Sequence, residues 1–325
     1  MIIMARKTKS LFQFMNLTIK ILMDNGQYRT MQHYKATLKS FMRFRGNKDI
    51  AMCEINADEM QSFEAYLKNK AKVCCNTSSF YLRILRATYN KAVANGLTTQ
   101  QYPFKNVYTG IAKTRKRAIS TESVRQIKRL DSEKYLTSKQ KLARDIFLMC
   151  FYLRGISFID LAYLRKSDIK EGYISYVRSK TGQRLFIRWE KEMQEIVDKY
   201  QEQTANSPYL FPFLSGKDFK NNKAKNNSQC ILHDIRDEER RLYRNAEACI
   251  SYHLKKLGIK IGIKGRLTLY VARHSWATAA RDNNIPISVI SEALGHNSET
   301  TTQIYLRSIK SSEVDDANAK VIATI

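Results

Sequence analysis

Apolar residues recur at intervals of three and four along most of this chain, and that period admits helices and little else. Tyr28 to Arg45 places Met31, Tyr34, Leu38, Phe41 and Met42 at helical spacing, and Gly46 ends the run. Asn56-Ala-Asp-Glu59 has the form of a capping box that opens a helix through Tyr66 and Leu67. A further helix begins at Asn76 or Thr77, carries Phe80, Leu85, Tyr89 and Val93, and stops at Asn95-Gly96. The basic Arg83, Arg86 and Lys91 fall between its apolar positions, either as a face turned to a polyanion or as an ordinary solvated face. With only 12 Gly and 4 Pro in 325 residues, collagen-like and low-complexity classes are excluded.

The period changes from helical to alternating at one place. Tyr173-Ile-Ser-Tyr-Val-Arg-Ser-Lys180, a Thr181-Gly182 turn and Arg184-Leu-Phe-Ile-Arg-Trp189 read as a β-hairpin. Around it lie helices at about Ser138 to Leu153 and Glu190 to Tyr200, a polar Lys/Asn-rich surface loop at 216–230, and helices again from Asn245 onward. The expected class is mainly α with a small antiparallel sheet. At 37.8 kDa the chain exceeds the usual single domain. Residues 1–108 form a helical domain, 109–119 a short basic linker that tethers flexibly, and 120–325, opening on a helix start at Ser120-Thr-Glu, a second domain with a tail.

The formal charge of +26 then narrows the partners. It is spread as +11 over 1–108, +4 over 109–119 and +11 over 120–325, so both domains are expected to face a polyanion, meaning nucleic acid or an anionic membrane surface. The most apolar run, Ile146 to Leu153, is far short of the ~20 residues that span a bilayer. The start, Met1-Ile-Ile-Met-Ala-Arg-Lys, puts apolar residues before charges and lacks a small-residue cleavage site, so it does not read as a secretory signal. Cys53, Cys74, Cys75, Cys150, Cys230 and Cys249 show no C-x-x-C spacing, which gives neither a zinc site nor a disulfide framework and fits a reducing cytoplasm. No metal or organic cofactor is expected.

Chemistry concentrates in 267–306, LTLYVARHSWATAARDNNIPISVISEALGHNSETTTQIYL. Arg273-His274 with Ala277-Thr278, then Leu294-Gly295-His296, then Tyr305 nine residues after His296, form an ordered set. Upstream stand RGISFIDLAYLRKSDI at 154–169 and Ser179-Lys180-Thr181-Gly182 at the hairpin. This set resembles the boxes of the tyrosine recombinases, the phage-integrase family, over roughly residues 120–310. The helical first domain suits that family's SAM-like core-binding domain. The R-G-x-S-F-I-D-L form resembles integrases of Bacteroidota mobile elements.

The resemblance implies a role for each residue. Tyr305 is the nucleophile that takes the 3′-phosphate as a covalent ester, Arg273 clamps the phosphate, His296 hydrogen-bonds it, and Lys180 protonates the leaving 5′-oxygen. The residue types suit that chemistry. A guanidinium fork grips two phosphate oxygens as Lys cannot, donors act where charge develops, and a phenol ester conserves bond energy without a cofactor. Plainer readings stand beside these: His296 as a helix-end cap at Gly295, Lys180 as a solvated turn residue. His274 is expected to pack or hydrogen-bond in the core, and Trp276 to be core.

Two positions depart from the family pattern. Where its first box has an arginine, three residues before Asp160, this chain has Ser157. Arg178, which strand alternation places on the face of Lys180, and Arg154 are the candidate substitutes. Three residues before Arg273 stands Tyr270 rather than His; a phenol there keeps a hydrogen bond but, with an ordinary pKa of about 10, gives up proton transfer near neutrality.

The resemblance as a whole implies a site-specific DNA recombinase acting on duplex DNA through a 3′-phosphotyrosyl link and a Holliday junction, to integrate, excise or invert a segment. The family further implies a monomer that assembles into a homotetramer at synapsis, with the apolar tail Ala319 to Ile325 docking on a neighbour. Accessory DNA-bending proteins and a cytoplasmic, nucleoid-associated location go with that role. The rival readings are a type IB topoisomerase-like nicking-closing enzyme and a DNA-binding regulator that has lost catalysis.

Overall fold

The computed structural model describes residues 10–112, 118–130, 136–214, 237–296, 298–306 and 322. Linker residues 113–117, the Lys/Asn-rich loop 216–230 and, apart from 322, the tail end Ala319 to Ile325 lie outside the described residues. The chain divides into two compact units, Met1–Thr114 and Arg115–Ile325.

The first unit is a helical bundle of α1 (Leu11–Asp24), α2 (Tyr28–Phe44), α3 (Ala57–Asn69) and α4 (Cys75–Ala94). The apolar spacing that predicts α2 buries Leu38 and Phe41, and Gly46 follows the helix at φ +58°. Phe41 meets Phe12, Phe44 and Phe63 at centroid separations of 4.9–6.4 Å, the aromatic centre of this core. The expected capping box is only half formed. Asn56 Oδ1 accepts from Glu59 N at 2.9 Å, but the Glu59 carboxylate pairs with Arg45 at 2.8 Å instead of reaching back. Helix α4 begins at Cys75, earlier than expected, because the Asn76 side chain is used elsewhere. Its amide exchanges two hydrogen bonds with the backbone of Ala112, at 2.8 and 3.0 Å. Ser79 Oγ donates to the Gly110 carbonyl and Arg86 Nη1 to Thr109 Oγ1 at 2.8 Å, so 109–112 is laid along α4, and the expected flexible tether does not begin at 109. Of the basic residues between the apolar positions, Arg83 is half-buried over the Phe80 ring, while Arg86 and Lys91 are exposed.

The second unit opens with α5 (Thr121–Arg129), capped by Ser120 Oγ accepting from Ser123 N at 3.1 Å. Its centre is α6 (Ser138–Tyr152), where Ile146, Phe147, Leu148, Met149 and Cys150 are all buried because neighbours cover every side. The apolar run that is too short for a bilayer is thus the core helix of this unit. The short α7 (Phe158–Ala162) follows, then β1 (Ile169–Lys170), β2 (Tyr173–Val177) and β3 (Arg184–Arg188) in one antiparallel sheet of order β1-β2-β3. The hairpin registers Tyr173 with Arg188 and Val177 with Arg184, which buries Ile174, Tyr176, Leu185 and Ile187 on one face. Strand β1 is too short to show a period in the sequence.

Helix α8 (Lys191–Asp198) comes next, and α9 (Asp237–Lys260) begins well ahead of the Asn245 expected, then packs on α6. Helix α10 (Leu269–Asp282) also packs on α6, and α11 (Ile287–Ala293) and α12 (Glu299–Leu306) complete the described unit. Among the described residues no helix is long and apolar enough to cross a membrane. The architecture is mainly α with one small antiparallel sheet.

Candidate active site

The site is assembled from three chain reversals and the helix that faces them. After α6, Arg154 (φ +55°) and Gly155 (φ +78°) turn the chain sharply, with Gly155 N donating to Cys150 O at 2.8 Å. Gly155 lies directly against α10. A β-carbon there would stand 2.5–2.6 Å from the Cα, Cβ and Cγ of Arg273, so only glycine fits. That contact leaves the Gly155 carbonyl to accept from Arg273 Nη1 at 2.8 Å.

The second reversal ends α11. Gly295 (φ +63°) stops the helix, and His296 N donates back to Ser291 O at 3.0 Å. The carbonyls that α11 frees are used twice: Leu294 O accepts from Arg273 Nη2, and Gly295 O from Arg178 Nη1. Two guanidiniums, each less than a tenth exposed, are therefore aimed by neighbouring carbonyls of one helix end.

His296 completes this cluster. Its Nε2 is 3.0 Å from Arg273 Nη2 and its Nδ1 is 2.8 Å from Thr302 Oγ1, a fully buried hydroxyl on α12. Arginine only donates, so Nε2 accepts, and the neutral ring carries its proton on Nδ1 toward Thr302. Burial, followed by the charges of Arg273, Arg178 and Lys180, depresses the His296 pKa from 6.5 to about 4. The ring is neutral at physiological pH.

The third reversal is the hairpin tip. Strand β2 ends at Val177, so 178–183 form a turn, closed by Arg178 N donating to Gln183 O and Gly182 N to Arg178 O, both at 2.8 Å. This corrects the two-residue turn expected and the alternation argument with it. Arg178 is buried against Gly295, while Lys180 is exposed at the tip, so the two do not share a strand face. Both nonetheless act on His296. The turn is anchored at Ser179, whose N–H (3.0 Å) and hydroxyl both donate to Asp160 Oδ1.

Ser157, at the departure from the family pattern, caps α7 and donates its hydroxyl to Asp160 Oδ2 at 2.7 Å. Arg154 is partly exposed in the first reversal. Tyr270 stands in the first turn of α10, half exposed, with its ring edge-on to His274 at 4.6 Å. His274 is thus partly buried against Tyr270, and Trp276 packs on the cluster of Ala277, Ala280, Ile290, Leu294 and Leu306. Tyr305 lies on α12 three residues after Thr302; its side chain lies outside the described residues.

Sequence patterns do not single out Thr302, Gly155 or the carbonyls of Gly155, Leu294 and Gly295. Thr302 is one of three consecutive threonines, and only the phase of α12 separates it from Thr300 and Thr301.

Buried paired guanidiniums, a neutral imidazole and an exposed ammonium suit a single tetrahedral or trigonal anion. Residues 117–312 match the model of the phage integrase family. The chain belongs to that family. Residues 10–107 match the phage integrase SAM-like domain. Among curated relatives, tyrosine recombinase XerD of Rhizobium meliloti (strain 1021) is 25% identical over 295 residues, covering 85% of this chain and 84% of the relative. Tyrosine recombinase XerC of Leptospira interrogans serogroup Icterohaemorrhagiae serovar copenhageni (strain Fiocruz L1-130) is 24% identical over 284 residues, covering 87% and 84%. Among solved structures, a lambda integrase (75–356) dimer bound to a COC' core site superposes with a TM-score of 0.65 at 17% identity, over 93% of this chain and 98% of that one. The Tn1549 transposon integrase in complex with transposon right end DNA gives 0.65 at 11% identity, over 96% and 99%. These likenesses carry the fold: a SAM-like helical domain followed by a recombinase catalytic domain.

Proposed function

We propose that this phage-integrase-family chain is a site-specific DNA recombinase that cuts and rejoins duplex DNA through a 3′-phosphotyrosyl intermediate. The observation that carries the mechanism is the convergence of Arg273, Arg178 and His296 on the end of α11, with Lys180 at the adjoining turn. The Tyr305 hydroxyl gives up its proton to water as its oxygen forms a bond to the scissile phosphorus, the P–O5′ bond breaks, and Lys180 delivers the proton that the leaving 5′-oxygen takes up. Arg273 and Arg178 hold the non-bridging oxygens, pre-aimed by backbone carbonyls so that little reorganisation accompanies the charge that develops. The 5′-hydroxyl of a partner duplex then attacks the phosphotyrosine and releases Tyr305.

Arg178 is our choice for the arginine missing at Ser157. It is buried in the cluster and held by the Gly295 carbonyl beside His296, whereas Arg154 is partly exposed. Tyr270 is assigned a hydrogen bond to the DNA phosphate near Arg273, without proton transfer. Residues 1–108 form the core-binding domain, 109–119 the linker, its first four residues laid along α4, and 120–325 the catalytic domain with its tail.

The relatives favour strand exchange over nicking and closing or a purely regulatory role, because tyrosine recombinases match over most of their own length. A lambda integrase tetramer bound to a Holliday junction shares the fold, with a TM-score of 0.62. We accordingly assign a homotetramer at synapsis, two sequential exchanges and a cytoplasmic, nucleoid-associated setting, with DNA-bending accessory proteins as partners. The R-G-x-S-F-I-D-L form supports a mobile-element integrase of the Bacteroidota type.

The test is a nicked duplex whose cleaved fragment diffuses away and traps the covalent adduct. Wild type accumulates the adduct and Tyr305→Phe forms none. Arg178→Ala slows formation by about 100-fold or more, and Arg154→Ala stays near wild type. No adduct from wild type, or an undiminished one from Tyr305→Phe, sinks the assignment; the reverse order of the two arginines moves the clamp to Arg154.

A further inference from the structure

The hairpin turn that carries Lys180 holds two polar oxygens that are buried without a hydrogen-bond partner among the described residues, Thr181 Oγ1 and Gln183 Oε1. The Gln183 oxygen is placed with unusual closeness. A β-carbon on Gly295 would lie 3.2 Å from it, 3.2 Å from Arg178 Cδ and 3.3 Å from Leu185 Cδ1. The amide therefore packs on the bare backbone of Gly295, next to His296 and beside the stem of Arg178.

An unpartnered buried carbonyl is costly, and such a group in a site invites a donor that arrives during function. The donors close by are limited. Arg178 spends Nη1 on the Gly295 carbonyl and, on the proposed mechanism, its other N–H groups on the phosphate, Arg273 donates to Gly155 and Leu294, and His296 Nδ1 donates to Thr302. Lys180 lies in the same turn, exposed, and its charge reaches His296. An ammonium has three N–H groups. One is directed at the leaving 5′-oxygen, and the other two lose water when a duplex covers the turn.

We propose that Gln183 is a positioning residue for Lys180: its amide oxygen accepts one N–H of the Lys180 ammonium when the scissile phosphate is docked, and so aims the remaining proton at the departing 5′-oxygen. Thr181 Oγ1 is the second acceptor. The proposal rests on the reading of Lys180 as the acid. It assigns Gln183 to proton delivery and leaves binding of the phosphate to the arginines.

Two substrates separate those roles. In one the scissile linkage ends in the ordinary 5′-oxygen. In the other a 5′-bridging sulfur replaces it, and because a thiolate leaves without a proton, only the ordinary ester depends on the acid. Gln183→Met keeps the length and packing on Gly295 but has no carbonyl. Gln183→Glu keeps an acceptor. Gln183→Met cleaves the oxygen ester about tenfold more slowly than wild type or worse and cleaves the sulfur ester at the wild-type rate. Gln183→Glu retains cleavage of both, with the basic limb of its pH profile moved to higher pH, since a carboxylate beside the ammonium holds its proton more tightly. Equal slowing of Gln183→Met on both substrates means the amide serves Arg178 or the fold, and no slowing on either means it serves nothing in cleavage; each result overturns the proposal. Lys180→Ala is the control on the underlying reading. If it is slowed equally on both esters, Lys180 is not the acid and both readings fall, whereas selective loss in Lys180→Ala with none in Gln183→Met removes Gln183 alone.

Discussion

His296 shows how one side chain is tuned by its neighbours rather than by its type. Partial burial, then the three cations around it, holds its pKa at about 4, below the ordinary 6.5. The unfolded chain therefore takes up a proton at this position before the folded one does. The stability tied to the neutral ring is complete above pH 6.5 and is lost as pH falls through the window from 6.5 to about 4. His296→Gln can still accept from Arg273 and donate to Thr302 but does not titrate. Across that window the thermal midpoint of wild type is expected to fall further than that of His296→Gln, the two being compared at each pH so that every other group cancels. Parallel curves would mean the ring is already charged in the folded protein. DNA binding acts in the opposite direction: a phosphate among Arg273, Arg178 and Lys180 favours the imidazolium and raises this pKa.

At the scale of elements, the helices supply the core and carry Arg273 and Tyr305, while the reversals supply the carbonyls that hold the arginines and the turn that carries Lys180. Gly155 and Gly172 make the point as a pair, since both have nearly the same left-handed backbone, φ +78° and +76°. A β-carbon at Gly172 meets nothing within 4 Å, while at Gly155 it overlaps the backbone of Arg273. Gly172→Ala is expected to cost only the backbone term, roughly 1–2 kcal/mol. Gly155→Ala adds an overpacking term and should reach roughly 2–5 kcal/mol. It should also cut cleavage out of proportion to stability, because the carbonyl that aims Arg273 moves with it. Urea midpoints and adduct yields for the two variants check this, and equal behaviour would mean α10 simply shifts to accommodate the methyl group.

The same division explains what could be read in advance. Helices α2 and α6 announce themselves by period and stop signals, because burial on a helix face repeats every three or four residues. The meeting of Arg273 with His296 is legible because both fall within one forty-residue stretch whose spacings are local. The partners that aim them are not. Arg178 meets Gly295 across 117 positions, and Arg273 meets Gly155 across 118. Each contact is made by a backbone carbonyl, which no residue type advertises. Asn76 and Glu59 mislead for a related reason: either side chain can cap a helix, and tertiary partners, Ala112 and Arg45, claim them first.

For the molecule as a whole, the decisive quantity is the net charge of +26 and its distribution, +11 in 1–108, +4 in 109–119 and +11 in 120–325. Each unit has its own apolar core, and although a few basic residues serve the fold, Arg45 on Glu59 and the buried Arg144 on Asp145 among them, the exposed ones are available to a polyanion. On the proposed mechanism the buried Arg273 and Arg178 serve the reacting phosphate and the exposed majority the backbone, where each neutralised phosphate releases counterions. Affinity for duplex DNA should therefore fall steeply with salt, with log K dropping by about 0.9 per log unit of salt for each phosphate held. The linker allows this to be dissected. Lys113, Arg115, Lys116 and Arg117 are the four basic residues of 109–119, and no carboxylate in that segment offsets them. Replacing all four with alanine should lower the salt slope by up to ~3.6 while the ratio of specific to nonspecific affinity stays constant, since backbone contacts position the protein without reading bases. Filter binding across a salt series measures both quantities. An unchanged slope would show that the linker charges face solvent in the complex, and a changed ratio would show that they read the sequence of the site.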